Sequence, residues 1–504
     1  MLSSQATAGE SDSPYLGLSL VTPWIFVLAG LAIPLAAWFG LYDPSPWRTF
    51  ETDWPNPTSE VLVVLLCAAL FLIPLYWVLK KRVLDLLALE LAQNALIFAG
   101  YFYLDLTAAH LEEANLAILK MTSLAVLFNA VGFFCFLSAL ITVYLVAQTR
   151  GYRLKPLSGP AGLMDWRLVW LVRLLSFFCA GAIALPMILT HTVPLLSSAG
   201  AEARLDLVMD SDVGRAVYHL GTALLPFLVG TLVMAIIAHP PRLFGLDPVM
   251  ILLMTGLQLL TSNRLPLSIT LMVTLCLVTM QYRLPRVVLL LIFLGYFFLF
   301  TFLSGFTSLL RTNPHALQQD DWFSGSVQEA FLGDNIIDLR DGSWVLSQWD
   351  FQPLLGKTYL GGAVALMPSG LFPEKKQWHL GLTGVRIVGL PEDAHFGLRI
   401  TFFGEAFLNF GWAGVVLLGT CLGAAYGVVL RQIHLAAAEA ASPCLCRNLV
   451  LLILLQCGLP LTNTSDAFIF WALLGLLAMI WFVVIRPTRT THDRLSEKSP
   501  LQPA

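Results

Sequence analysis

Apolar runs dominate the chain, and they recur at 24–41, 60–79, 84–104, 118–148, 168–190, 217–239, 244–261, 265–281, 286–304, 403–430, 449–464 and 467–485. Each is close to the ~17–25 residues that a helix needs to cross a bilayer. Short polar turns separate them, so the pattern predicts an all-α, polytopic transmembrane bundle of about twelve helices. Two runs depart from the norm. The run at 118–148 is too long for one upright span and must tilt or extend beyond the membrane. The run at 449–464 is short, and Gly458-Leu-Pro460 can break it. A long polar interval, 305–402, interrupts the series.

Basic residues orient this pattern. Alternate connections carry Lys80-Lys81-Arg82, then Arg150, Arg153, Lys155 and Arg167, then Arg242, then Arg283 and Arg286, then Arg431 and Arg447. The tail adds Arg486, Arg489, Arg494 and Lys498, while the intervening connections carry few cations. The positive-inside rule then puts both termini in the cytoplasm and the 305–402 loop outside, which is the periplasm if the cell is Gram-negative. The implied division is an N-terminal bundle of about nine helices (1–304), a large periplasmic loop (305–402), C-terminal helices (403–486) and a cytoplasmic tail (487–504).

Composition supports the membrane reading: 57% of residues are hydrophobic and 12% charged, against roughly 25% charged in soluble domains. The net charge of −3 offers no basic excess for nucleic acid. The acidic N-terminus lacks the basic region of a cleavable signal peptide. The 8 cysteines lie mostly in apolar runs, and Cys444-x-Cys446 lacks the second ligand pair of a zinc site. The chain carries no P-loop, no Gly-x-Gly-x-x-Gly fingerprint and no His-Glu-x-x-His, so ATPase, Rossmann and zincin chemistries lack their signatures.

Candidate chemistry gathers on the outward side. Residues 358–367 are apolar enough to form a short interfacial helix ended by Pro368, and Trp344, Trp349 and Trp378 suit a headgroup-level belt or a sugar-stacking surface. Glu392, Asp393, His395 and Arg399 form an acid/base or anion-binding candidate, with Arg386 just upstream. Glu405 falls about a turn inside an apolar helix, where a carboxylate is costly unless paired or facing a wet cavity. Gly404, Gly411 and Gly414 allow another helix or a lipid chain to approach. Thr261-Ser-Asn263-Arg264 makes a second cluster, where a guanidinium held between two helices needs a counter-anion such as phosphate. Arg215, His219, His191 and Asp466 read as interfacial solvation. These cations, carboxylates and apolar walls suit a lipid-linked phosphate or pyrophosphate with a polar head.

At these residues the sequence resembles the Wzy-type polymerases of O-antigen and exopolysaccharide repeat units. The likeness is carried by Thr261-Ser-Asn-Arg264, by Leu355-Gly-Lys-Thr-Tyr359 through Met367-Pro368 and Phe372-Pro-Glu-Lys-Lys376, and by Phe403-Gly-Glu405-Ala-Phe-Leu-Asn-Phe-Gly411-Trp-Ala-Gly414. Arg386 and Gly397 also fit an Arg-x10-Gly spacing of some members' outer loops. The resemblance covers 261–430; the first half agrees in hydropathy only. It implies a GT-C-like membrane glycosyltransferase without metal or other cofactor. The substrates it implies are undecaprenyl-pyrophosphate-linked oligosaccharides, and the partners a flippase and a chain-length regulator. On this reading Glu405, His395 or Asp393 supplies the base. Arg264, Asn263, Arg386, Arg399, Lys357 and Tyr359 hold the pyrophosphate and sugar. The alternatives are an O-antigen ligase, which shares the donor, a secondary transporter or lipid flippase, and a non-catalytic assembly partner.

Overall fold

The computed structural model describes residues 56–104, 115–150, 166–195, 245–261, 264–282, 284–312, 321–332, 338–364, 371–391 and 400–438, with Leu398 and scattered positions from 218 to 236. The runs expected at 24–41, 449–464 and 467–485, and the tail, lie outside them. Among the described residues the secondary structure is helical, with no strand.

In chain order the helices are α1 (Pro57–Lys81), α2 (Leu86–Ala99, continued as a 3-10 turn Gly100–Tyr103), α3 (Asn115–Thr149), α4 (Trp166–Leu189), α5 (Leu246–Leu260), α6 (Arg264–Tyr282), α7 (Arg286–Thr312), α8 (Trp322–Leu332), α9 (Asp338–Gln348), α10 (Lys357–Val364), α11 (Leu380–Val388) and α12 (Phe402–Ala438). Five of the described helices are long and apolar enough to cross a membrane. Their caps follow the sequence. Asn56 accepts from Thr58 N and Ser59 N ahead of Pro57 to open α1. Arg82, at φ 54°, closes it in the left-handed region, and Asp85 then caps α2 by accepting from Ala88 N. Outward faces are apolar, as lipid requires: Leu65 and Leu72 on α1, Leu174 and Ile188 on α4, and Leu291 and Phe298 on α7 are all exposed.

The central helix is α3. Of its apolar window 72% is buried, against 24–44% in the other four spanning candidates. Its 35 residues run about 52 Å, well beyond a ~30 Å hydrocarbon core. The 118–148 run, too long for one upright span, forms a single unbroken helix. The N-terminal half of α3 carries α9 and the beginning of α12, and its C-terminal half carries the rest of α12.

A single span over 403–430 is not what forms. The helix is interrupted at Gly411 (φ 60°, ψ −149°), a conformation that side chains strongly oppose. Phe403 packs on Phe133 of α3 (4.9 Å between ring centroids), and Phe407 stacks on Phe128 (5.0 Å), so residues 402–410 run antiparallel to α3. Beyond Gly411, Gly419 meets Gly132, Tyr426 meets Phe136, and His434 meets Tyr144, so the chain has turned parallel to α3. Phe403 and Gly419 both touch Gly132. In a straight helix they would stand about 24 Å apart. The element is therefore a helical hairpin with a short first arm and a long second arm.

The long arm lies against α3 through a glycine stripe. A Cβ on Gly419 would stand 2.6 Å from the Gly132 carbonyl oxygen, and one on Gly427 2.7 Å from that of Leu140, with Gly423 tighter still against Phe136. Small residues at a helical interval of four let two apolar helices touch backbone to backbone, which replaces the missing hydrophobic drive in lipid. The interval placed outside as a loop from 305 also starts differently. α7 runs on to Thr312, and α8 folds back along it, with Ser326 and Ala330 crossing at Gly305 and Ala330 reaching Leu96 and Phe297.

Candidate active site at the hairpin

The reversal at Gly411 creates a local problem. A helix that ends among apolar side chains leaves its last carbonyls without donors. The segment before α10 supplies them: Leu354 N donates to Leu408 O (2.9 Å) and Leu355 N to Asn409 O (3.0 Å). Gly356 N donates to the Asn409 side-chain oxygen (3.0 Å). At the other end Thr401 caps the arm, its hydroxyl accepting from Gly404 N at 3.1 Å. Residues 354–358 are thereby fixed across the short arm, and Thr358 enters it.

There Thr358 Oγ1 donates to Glu405 Oε1 at 2.5 Å. Asn409 Nδ2 donates to Thr358 Oγ1 (2.7 Å) and to Glu405 O (2.9 Å). Glu405 and Asn409 are wholly buried and Thr358 is 1% exposed. Glu405 and Asn409 are four apart, hence on one face of the arm, and one hydroxyl ties them together. Tyr359 follows directly, its ring parallel to that of Phe410 at 6.1 Å. Burial first, and the Glu405 charge second, push its phenol well above the ordinary range, so it remains a protonated donor beside the carboxylate.

Beside this cluster lies a cavity of about 670 Å³. Pro353, Leu355, Tyr359, Asn409 and Phe410 wall one side, and Gly411, Gly414, Leu417 and Cys421 of the long arm line the other. Its walls are apolar apart from Tyr359 and Asn409. Phe410, Leu417 and Leu355 are themselves exposed, at 45%, 58% and 75%. The cavity thus opens onto an exposed apolar surface of the long arm.

The structure brings Glu405, Tyr359 and Lys357 into one region, with Lys357 exposed at the first turn of α10. Arg386 is exposed on α11, and its Nη1 donates to Gln377 O at 2.9 Å. Arg264 stands at the first position of α6; its side chain lies outside the description. Asn263, Asp393, His395 and Arg399 lie outside the described residues. Two members of the cluster, Thr358 and Asn409, were absent from the sequence candidates. Their signal was the four-residue interval of Glu405 and Asn409, joined to a hydroxyl beside Tyr359. A second buried carboxylate was also missed: Glu90 of α2 accepts from Tyr426 Oη at 3.3 Å.

Among the described residues no three His, Cys, Asp or Glu side chains gather as a metal-binding group. Comparison of the chain with protein-family models, with curated proteins and with solved structures finds no match.

Proposed function

We propose that this chain is a membrane glycosyltransferase that polymerises undecaprenyl-pyrophosphate-linked oligosaccharide repeat units at the periplasmic face of a bacterial inner membrane. Its full bundle is the twelve-helix, GT-C-like one that the hydropathy pattern implies, with both termini cytoplasmic. One observation carries the reading: a fully buried carboxylate, Glu405, shares a hydrogen-bonded cluster with Thr358 and Asn409, next to an apolar cavity that opens onto an exposed apolar surface. A polyprenyl chain suits the cavity, and a sugar hydroxyl suits the cluster.

The chemistry is a displacement at an anomeric carbon. An acceptor hydroxyl attacks, the bond from that carbon to the pyrophosphate oxygen breaks, and undecaprenyl pyrophosphate leaves with the electron pair. Glu405, His395 or Asp393 takes the hydroxyl proton, a general-base contribution worth about 10²–10⁴-fold. Arg264, with Arg386 or Arg399, meets the charge that grows on the leaving group. Lys357 and Tyr359, at the mouth of the cluster, hold the sugar or its phosphate. Thr358 and Asn409 position Glu405.

The test is deletion in the native organism, complemented with wild type, Glu405→Gln or Arg264→Ala, with surface glycans separated by size. Single repeat units in place of long polymer, with the variants failing at normal protein levels, support the polymerase. Long polymer left on the carrier lipid indicates a ligase instead. The interrupted helix also favours a second reading, a secondary transporter, because transporter sites form at discontinuous helices. An unchanged glycan profile with an uptake defect would select it.

A further inference from the structure

At the far end of α3 from Glu405 a second constellation forms. Lys81 closes α1 and Arg431 lies on the long arm of α12, yet both converge on Tyr144 of α3. The Lys81 ammonium and the Arg431 guanidinium each lie 5.9 Å from the Tyr144 ring centroid. Arg431 Nε is buried and finds no acceptor among the described residues. The carboxylate at this corner, Asp85, already accepts from Ala88 N and stands 3.8 Å from His434 Nε2. The Tyr144 hydroxyl is engaged with His434 Nδ1 at 3.0 Å and also takes a hydrogen bond from the Arg431 side chain. Lys80, Arg82 and Arg286 add exposed cations at the rim. Arg286 Nε donates to Leu79 O, and Lys80 Nζ to Tyr76 Oη.

A topological signal needs cations on the connection. It does not need two of them turned onto one ring, with a guanidinium nitrogen left short of an acceptor. We infer that this corner binds the phosphodiester of an anionic phospholipid, with its oxygens shared between Arg431 and Lys81. Depth favours a lipid over a soluble anion. α1 has 25 residues, about 37 Å, so its last turn reaches past a ~30 Å hydrocarbon core to headgroup level. Leu72 and Tyr76, 57% and 56% exposed, run back from Lys80 along the same face and offer a track for an acyl chain. A guanidinium matches two phosphate oxygens at once, and basic pockets between membrane helices are suited to anionic headgroups.

Full-length protein, purified and stripped of lipid in a neutral detergent, tests this. Phosphatidylglycerol is expected to raise its melting temperature by about 5 °C at saturating concentration, while phosphatidylcholine and inorganic phosphate leave it unchanged. Lys81→Gln with Arg431→Gln abolishes the rise, and Arg82→Gln at the rim keeps most of it. Native mass spectrometry of Arg431→Lys, which keeps the charge but loses Nε, shows reduced phosphatidylglycerol occupancy even if the double variant fails to fold. An equal rise with phosphatidylcholine, an equal rise with inorganic phosphate, or full occupancy in Arg431→Lys overturns the assignment.

Discussion

Replacing Gly411 by alanine adds a methyl group that strikes nothing among the described residues, none of which stands within 4 Å of the position a Cβ would occupy. The whole cost is therefore conformational. At φ 60° and ψ −149° a side chain opposes the backbone, and a residue forced there loses about 1–3 kcal/mol. Straightening the helix relieves that strain, but it costs the bonds from Leu354 and Leu355 to Leu408 and Asn409 and tears the long arm from α3. The hairpin is the cheaper state, so Gly411→Ala keeps the fold and melts earlier. Spin labels at Phe402 and Thr420, in protein with the exposed Cys421 replaced by serine, read the geometry directly. A straight helix separates those positions by about 27 Å, whereas the hairpin lays them side by side. A wild-type distance near the straight-helix value refutes the reversal. A Gly411→Ala protein as stable as wild type refutes the strain argument.

Thr358→Val removes the hydroxyl but keeps the shape, leaving Glu405 Oε1 without its Thr358 donor and Asn409 Nδ2 without one of its acceptors. We expect a loss of about 1–3 kcal/mol, with polymer yield falling at normal protein level; wild-type yield and stability would remove Thr358 from the site. Gly423→Leu drives a side chain into the Phe136 carbonyl and should cost about 1–3 kcal/mol or more, seen as early melting in detergent. Gly256→Leu, whose Cβ would meet open space, serves as the control. Burial and the Glu405 charge raise the Tyr359 phenol above its ordinary 10.0, so folding favours the protonated form. That contribution is complete below pH 10 and declines as pH climbs toward the folded value. Melting curves at pH 8–11 should show an alkaline loss in wild type that Tyr359→Phe lacks, and identical slopes would contradict the assignment.

Much of the fold was legible because hydropathy is a local property. α1, α2, α3, α4 and α6 form where apolar runs occur, with the starts of α1 and α2 set by Asn56, Pro57 and Asp85, and α10 forms where a short interfacial helix was expected. Glu405 was legible too, since a carboxylate in an apolar helix stands out against its neighbours. Its partner was not. Thr358 lies 47 residues away and is one hydroxyl among many.

By itself the sequence determined a chain of helices apolar and long enough to cross a membrane, and which connections carry the cations. Both follow from transferring side chains between water and lipid, which each segment does alone. Only the tertiary structure decided the reversal at Gly411, because two apolar arms read identically to one longer span. The break is tolerable only where a distant segment donates to the freed carbonyls of Leu408 and Asn409. It also decided the meeting of Lys81 and Arg431 on Tyr144, three residues on three helices. Hydropathy has no long-range memory; backbone hydrogen bonds and helix packing couple residues far apart in the chain, and both sites are made by that coupling.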